Sequence, residues 1–244
     1  MSQQVNVQKN LVFSSGANNK ANVTGDMLPV RMQAIDWFNG IVLNATNDYT
    51  VTVGGTSDAA AVTLGGANGL KMTTGTGDNE VMFVATGLMF DATSNPVIET
   101  KVTLADVSGT SLFFGFSDAD TETTPASTID YADGTLVAAA TDAVGFVCDA
   151  DKSSSLLYFA SIATGGSVAG VSTGITWTDG QTKSLRVRIN SDLSADGFVD
   201  GVQVAHVAGA VTDVPFCAIF NAGTRANDGA NIVTAKYLAK FQDQ

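Results

Sequence analysis

The stretch KSLRVRIN, residues 183–190, decides the fold of this chain. Its apolar residues Leu185, Val187 and Ile189 alternate with Arg186 and Arg188. Successive side chains of a β-strand point to opposite faces, so this period of two is typical of a strand with one face on a core and the other in solvent. The stretch therefore predicts one strand of a half-buried antiparallel sheet.

Similar apolar or alternating runs fill the chain from about residue 49 onward, with Gly, Asp, Asn, Ser and Thr between them. Between two of these runs stands Asp200-Gly201, and Asp-Gly supplies the positive φ angles of a two-residue hairpin turn. About eleven strands joined by turns imply two packed antiparallel sheets. The predicted fold class is all-β, a two-sheet antiparallel β-sandwich with an N-terminal extension.

The last run, NIVTAKYLAKF (231–241), has a spacing that also tolerates a short helix, but its context favours a strand. The strand reading places Lys236 and Lys240 on one face. The opposite face then carries Val233, Ala235, Tyr237, Ala239 and Phe241.

Charge and composition exclude some partners. The formal charge of −12, from 12 Lys and Arg against 24 Asp and Glu, repels a phosphate backbone and argues against nucleic acid as a partner. No run reaches the roughly 18 apolar residues that span a bilayer, so no membrane partner is expected. The start, MSQQVNVQKN, lacks the pattern of a signal peptide, which predicts synthesis in the cytosol and buried thiols at Cys148 and Cys217.

The first 45 residues differ from the rest, and we divide the chain into an extension, 1–45, and a sandwich domain, 46–244. The polar stretch SSGANNKANVTGD precedes the more apolar MLPVRMQAIDWFNGIVL. This segment is either an arm that orders against a partner or the first strand of the core, and the sequence leaves both open. The candidate partner-binding residues are Val5, Leu11, Val12, Phe13, Met27, Leu28, Trp37, Phe38 and Ile41.

Catalytic constellations are sparse in the sequence. A nucleophilic triad needs a histidine base, and the chain has only His206, in the strand VQVAHV. Glycoside hydrolysis needs two carboxylates held about 5 to 9 Å apart, yet Glu80, Glu99 and Glu122 have no acidic neighbour two or four residues on. The sequence predicts that the chain is not an enzyme and has no catalytic residues.

Calcium is the one cofactor that the pattern admits, because loop carboxylates and carbonyls hold hard cations. The candidates are two Asp-Ala-Asp stretches at predicted strand ends, Asp118/Asp120 and Asp149/Asp151. Aspartate also starts turns in loops, so the main expectation is that no metal or other cofactor is bound.

More than half of the chain resembles the concanavalin A-like (laminin-G-like) jelly roll found in structural proteins of tailed bacteriophages. In that family an RVRI-type strand is followed by a turn, an F-[VY]-[VD]-G hairpin and a penultimate strand. These match Arg186–Asn190, Phe198–Gly201 and Pro215–Asn221. The resemblance extends over VIETKVTL (97–104), SLFFGFSDAD (111–120), AVGFVCDADKSSSLLYFASI (143–162) and KSLRVRINSDLSADGFVDGVQVAHV (183–207).

The resemblance implies a virion structural protein, namely a capsid decoration or cement protein on the outer capsid surface, made in the cytoplasm of a host bacterium. Its expected partners are the major capsid protein and further copies of itself, as a dimer or trimer. The alternative is a carbohydrate-binding module or a fibre or adhesin-like domain, with carbohydrate as the partner.

Overall fold

The computed structural model describes residues 31–38, 49–54, 61–64, 69–121, 127–152, 155–225 and 231–243. In these ranges the chain forms β-strands and one 3-10 turn, Ala92–Ser94, and no α-helix. The all-β prediction is confirmed. The strands are β1 Arg31–Asp36, β2 Tyr49–Val53, β3 Ala61–Leu64, β4 Leu70–Thr73, β5 Val81–Thr86, β6 Phe90–Asp91, β7 Val97–Leu104, β8 Thr110–Ser117, β9 Ile129–Ala132, β10 Thr135–Ala138, β11 Ala143–Asp149, β12 Leu156–Ile162, β13 Ala169–Thr176, β14 Thr182–Ile189, β15 Ala195–Val199, β16 Val202–Val207, β17 Pro215–Thr224, β18 Ile232–Ala235 and β19 Leu238–Asp243.

Two antiparallel sheets make up the sandwich. The first sheet has the order β16-β15-β14-β7-β18-β4-β3, and β19 continues beyond β18 to pair with both β7 and β1. The second sheet has the order β13-β12-β11-β8-β17-β5-β2, with β6 paired to β17. A separate hairpin joins β9 to β10. The predicted two-sheet sandwich is therefore confirmed.

The main core lies between the two sheets. On β14, Leu185, Val187 and Ile189 are fully buried, while Arg186 is exposed and Arg188 half-buried, as the alternation predicts. The second sheet contributes Leu112, Phe114 and Phe116 of β8 to the same core. Burial of one face of each strand accounts for the alternation in the sequence.

A second apolar cluster covers the other face of the second sheet. Phe113, Val147 and Ile219 point away from the main core and pack under Ile129 and Tyr131 of the β9-β10 hairpin. All eight residues of β8 are buried as a result. Burial on both faces explains why the run LFFGF (112–116) has no polar residue and does not alternate.

Two glycines face each other where β8 and β11 pair. Gly115 lies opposite Gly145 in the register. A Cβ at Gly145 would stand 2.4 Å from the carbonyl oxygen of Phe114 and 2.9 Å from the Phe113 ring, so no side chain fits. The pair leaves room for the Phe113 ring, whose Cζ would stand 2.9 Å from a Cβ at either glycine.

Several local predictions can be compared with the structure. Asp200 and Gly201 both have positive φ, 50° and 83°, as a type I′ hairpin requires. Cys148 and Cys217 are free and buried. The described part of the N-terminal extension forms the strand β1 on β19. No helix in the described ranges has the length and hydrophobicity that a membrane crossing demands.

We expect G145A to lower the free energy of unfolding by about 2–3 kcal/mol, because the added methyl group collides with backbone that cannot move independently. Urea denaturation followed by tryptophan fluorescence measures the change. The control is G87A, where a Cβ would meet nothing within 4 Å. That variant should stay within about 0.5 kcal/mol of the wild type, and equal losses in both variants would contradict the packing argument.

Candidate functional site

A groove of about 720 Å³ opens on the outer face of the first sheet. Its floor is formed by outward-facing side chains of β7, β14 and β19. Its wall is formed by Ile35 of β1, Trp37 and Tyr237. A concave site of this volume is typical of small-molecule and oligosaccharide binding.

Two aromatic rings form one wall of the groove. Trp37 is 59% exposed. Its ring centroid lies 5.4 Å from that of Tyr237, with an interplanar angle of 52°. An exposed indole held by a neighbouring ring offers a rigid apolar surface with little conformational entropy to lose on binding.

A β-bulge aims Tyr237 into the groove. Ala235 of β18 pairs with Val102, whereas Ala239 of β19 pairs with Glu99. Four residue steps on one strand therefore oppose three on β7, and this extra residue is what defines a bulge. As a consequence, the consecutive residues Lys236 and Tyr237 both line the groove, which a regular strand would not allow.

This bulge corrects the sequence-based interpretation of 231–241 as one continuous strand with a single apolar face. Val233 and Ala235 are in the main core, but Tyr237, Ala239 and Phe241 line the groove on the opposite face. Lys240, predicted on the face opposite these apolar residues, is only 8% exposed and pairs with Asp36 at 2.7 Å. The inserted residue reverses the facing of everything after it.

A carboxylate held by two donors lines the groove. Glu99 accepts a hydrogen bond at Oε1 from the Tyr237 hydroxyl, at 2.7 Å, and at Oε2 from Arg186 Nε, also at 2.7 Å. Burial, followed by the hydrogen bond to Glu99, raises the pKa of Tyr237 to about 12, so the hydroxyl remains a donor at neutral pH. Arg186 is 45% exposed in its side chain and keeps N–H groups toward the groove.

Gly69 lines the groove and has a positive φ of 85°. A Cβ there would stand 2.2 Å from the carbonyl oxygen of Ala235 and 2.9 Å from the Cα of Lys236. Only glycine fits this close approach of two backbones. The position keeps the bulge packed against the chain that precedes β4.

A second polar site surrounds Arg225, beyond the end of β17. Its guanidinium donates to both oxygens of Asp149, at 2.9 and 2.6 Å, and to Asp130 at 2.9 Å. It also donates to the carbonyl of Tyr131 at 3.0 Å and to the side chain of Asn79. Arg225 is 5% exposed and Asp149 is fully buried. We call Arg225, Asp130, Asp149 and Asp151 the arginine cluster.

Charges do not balance inside the arginine cluster, because one guanidinium faces three carboxylates. Burial, with the charges of Asp149 and Asp151 adding to it against the opposing effect of Arg225, raises the pKa of Asp130 to about 6. Burial also raises the pKa of Asp151, whose side chain is 34% exposed. Two carboxyl groups here are therefore easier to protonate than free aspartate.

The structure separates the two pairs of calcium candidates. Strands β8 and β11 are antiparallel, so Asp118 and Asp120 follow one end of the second sheet, whereas Asp149 and Asp151 lie at the other end. Asp149 already has both oxygens bound by Arg225. In the described ranges no group of three or more His, Cys, Asp or Glu side chains is arranged to hold a metal ion. Calcium binding stays an untested prediction, and this geometry lends it no support.

Of the candidate partner-binding residues, two lie in the described part of the chain. Trp37 lines the groove, and Phe38 is 5% exposed, in the main core against Tyr49 and Phe220. The others lie outside the described residues: Val5, Leu11, Val12, Phe13, Met27, Leu28 and Ile41. The sequence did not identify Glu99, Arg186 or Tyr237 as a site, because strand order alone brings them together.

Comparisons with known proteins bear on the fold. No protein-family model matches the chain. No curated protein matches it either. Solved structures do match, and they include carbohydrate-active enzymes.

A sialidase matches with a TM-score of 0.57 and 15% identity over 87% of this chain, which spans 18% of the sialidase. The catalytic domain of an endo-1,3-β-glucanase (laminarinase) from Thermotoga petrophila matches with a TM-score of 0.59 and 12% identity, over 89% of this chain and 100% of that domain. A Bacillus licheniformis β-glucanase matches with a TM-score of 0.59 and 12% identity, over 87% and 98% of the two chains.

These matches confirm the concanavalin A-like jelly roll, and at such low identity they establish the fold alone. They give no support to the phage structural type that the sequence resemblance implied. They also contradict the prediction that the chain is not an enzyme, because the matching proteins of this fold are enzymes. That prediction relied on the absence of an acidic residue two or four positions after each glutamate. This was the wrong basis, because two carboxylates can also be brought together from different strands.

We expect R225M to lower the free energy of unfolding by about 3–5 kcal/mol at pH 7, because it leaves the buried Asp149 carboxylate without its cation. Chemical denaturation measures the loss. The matched control is R188M, which removes a cation from Asp196 but leaves that carboxylate its hydrogen bonds from Asn190 and Gln203. The control should lose about 1 kcal/mol, and equal losses would contradict the role of Arg225.

The raised pKa of Asp130 predicts a pH dependence of stability. Between about pH 4 and 6 the folded chain keeps a proton on Asp130 that the unfolded chain has released, so this residue's contribution to stability falls as pH rises through that window. We expect D130N to gain on the order of 2 kcal/mol relative to the wild type between pH 4 and pH 7. Urea denaturation of both proteins at the two pH values tests this, and a constant difference would contradict the raised pKa.

Proposed function

We propose that this chain recognises carbohydrate in the groove of the first sheet. One observation carries the proposal: the exposed Trp37 and its neighbour Tyr237 stand beside the hydrogen-bonded pair of Glu99 and Arg186. A sugar ring has an apolar face of C–H groups that suits an aromatic surface. Its edge of hydroxyl groups suits a carboxylate and a guanidinium that are already oriented.

Two further facts support this proposal. The donors to Glu99 fix the carboxylate before any ligand arrives, which lowers the entropy lost on binding. The fold is that of a laminarinase catalytic domain, of a β-glucanase and of a segment that makes up 18% of a sialidase, and these names refer to carbohydrate. A decoration role on a capsid rests only on the resemblance in the sequence, and the matches add nothing to it.

We expect W37A to weaken binding of the best ligand from a glycan array by at least about tenfold, because the variant removes the exposed ring on which a sugar stacks. Isothermal titration calorimetry measures the affinity. The matched control is L88A, since Leu88 is 45% exposed and lies outside the groove. The control should bind like the wild type.

Equal binding by wild type and W37A would place sugar recognition elsewhere. Thermal unfolding of each variant ensures that a loss of affinity is not a loss of fold. Absence of any glycan ligand for the wild type would overturn the proposal.

The arginine cluster favours glycoside hydrolysis as a second candidate function. Hydrolysis of a glycosidic bond uses one carboxylic acid that is protonated and a second carboxylate close by. Asp130, with a pKa of about 6, has the property of the acid, and the partly exposed Asp151 shares the same guanidinium. Asp130 lies in β9 and Asp151 follows β11, so the two carboxyl groups come from different segments of the chain.

Reducing-sugar release from laminarin and from mixed-linkage β-glucan tests this second candidate. Release by the wild type that D130N abolishes would support hydrolysis at the arginine cluster. Release that persists in D130N would place the catalytic acid at another position. The groove lies on the first sheet and the arginine cluster lies at one end of the second sheet. W37A therefore alters sugar binding in the groove and leaves every residue of the arginine cluster in place.

A further inference from the structure

The outer face of the first sheet continues beyond the groove, across β14, β15 and β16. Arg186 of β14 lies opposite Glu99 of β7 on one side and opposite Phe198 of β15 on the other. Side chains of directly paired residues lie on the same face of a sheet. The guanidinium of Arg186, which donates to Glu99, also lies over the Phe198 ring, 5.8 Å from its centroid. The side-chain contacts of the groove therefore continue onto β15.

A second row of side chains lies beside the first, two residues further along β14. Arg188 lies opposite Asp196 of β15, and Asp196 lies opposite His206 of β16. The guanidinium of Arg188 is 5.6 Å from the centroid of the Phe198 ring, so the two rows are in contact. We call Arg186, Phe198, Arg188, Asp196 and His206 the cross-strand strip. It connects the groove with β16, at the end of the strand order of the first sheet.

A buried carboxylate fixes the far end of the cross-strand strip. Asp196 is 3% exposed. It accepts hydrogen bonds of between 2.5 and 3.0 Å from the side chains of Arg188, Asn190 and Gln203. Burial alone would raise the pKa of Asp196, but the hydrogen bonds from its neighbours outweigh that effect and lower the pKa. The carboxylate is therefore ionised at neutral pH and can only accept, so His206 Nδ1, 2.8 Å away, is the donor.

Three side chains of the cross-strand strip are both exposed and oriented. The exposed fractions are 45% for Arg186, 42% for Arg188 and 55% for His206. Each guanidinium has N–H donors beyond those that its carboxylate accepts, and Nε2 of the neutral His206 ring is an acceptor. Sugar hydroxyls both donate and accept, so they can bind to all three groups. Because carboxylates already hold these side chains, little rotamer entropy is lost on binding.

The aromatic wall closes one side of the groove, and the cross-strand strip lies on the other side. Trp37 directly follows β1 and Tyr237 directly precedes β19, and β19 pairs with the edge of β7 that is opposite to β14. A linear glycan with one ring on Trp37 therefore continues over β14, β15 and β16. Neighbouring strands are about 4.8 Å apart, so the four intervals from β19 to β16 span about 19 Å. A pyranose ring in a linear glycan advances by about one such interval.

We propose that the ligand is a linear oligosaccharide of about four or more rings that lies across the strands from Trp37 to His206, and this inference rests on the carbohydrate recognition proposed above. One ring packs on Trp37 and Tyr237. The following rings lie over Arg186 and Arg188, and the last donates a hydroxyl group to His206. A disaccharide fills the groove and does not reach His206. The ligand class is therefore a linear glycan chain and not a single terminal sugar.

The experiment measures affinity as a function of chain length by isothermal titration calorimetry. The probes are laminari-oligosaccharides of two, four and six rings, and the same three lengths of the linear glycan that binds best on the array. We expect the tetrasaccharide to bind at least about tenfold more tightly than the disaccharide. The hexasaccharide should bind within about threefold of the tetrasaccharide, because the strip ends at β16.

Two variants assign the length dependence to the cross-strand strip. H206A should weaken binding of the tetrasaccharide by about three- to tenfold and leave the disaccharide unchanged. Unchanged disaccharide binding also shows that the variant is folded. The matched control is V202A, since Val202 lies on the same strand and is 65% exposed, but pairs with Val199 outside the strip. W37A should weaken the binding of all lengths.

The outcomes distinguish this inference from the proposal on which it rests. Equal affinity for all lengths in the wild type, lost in W37A, would overturn the inference and leave carbohydrate recognition standing. A length dependence that is unchanged in H206A, or equally reduced in V202A, would also overturn it. If neither these probes nor any glycan on the array binds the wild type, both proposals fail.

Discussion

Strand β7 lies between β14 on one side and β18 and β19 on the other, and the register of its hydrogen bonds positions both the core and the groove. On the inner face, Ile98 lies opposite Val187, and both are fully buried. On the outer face, the same register puts Glu99 opposite Arg186. Because side chains alternate, a shift of one residue would expose the core and bury the charges, so the packing energy of the core also maintains the groove.

Alternation in the sequence was enough to predict part of this arrangement. The stretch KSLRVRIN predicts the buried and solvent faces of β14, and the structure confirms them. The sequence could not show that Arg186 meets Glu99, because 87 residues separate the two and only the strand order joins them. It also missed the bulge at Lys236 and Tyr237, since an inserted residue has no pattern of its own in the sequence.

The β9-β10 hairpin was missed for a different reason, because a signal was present there. Asp133-Gly134 has the same two residue types as Asp200-Gly201, and both residues have positive φ, 49° and 76°. The hairpin covers the outer face of the second sheet and brings Asp130 to Arg225. Without it, the apolar runs LFFGF of β8 and AVGFVC of β11 have no explanation, since a sandwich with one solvated face predicts alternation.

The arginine cluster shows why acidic residues at strand ends are ambiguous in a sequence. The Asp149 carboxylate can coordinate a metal ion or accept hydrogen bonds from a basic side chain, and its local sequence is the same in both cases. Here the cation is Arg225, 76 residues further along the chain. Removing the Asp149 carboxylate from water costs free energy, and the interaction with the guanidinium offsets that cost. A guanidinium carries one positive charge, so it compensates less of the negative charge of three carboxylates than a divalent ion would. Burial, with the charges of Asp149 and Asp151 adding to it, raises the pKa of Asp130. This leaves a protonatable carboxyl group at one end of a sheet, in a fold that the chain shares with a laminarinase and a β-glucanase.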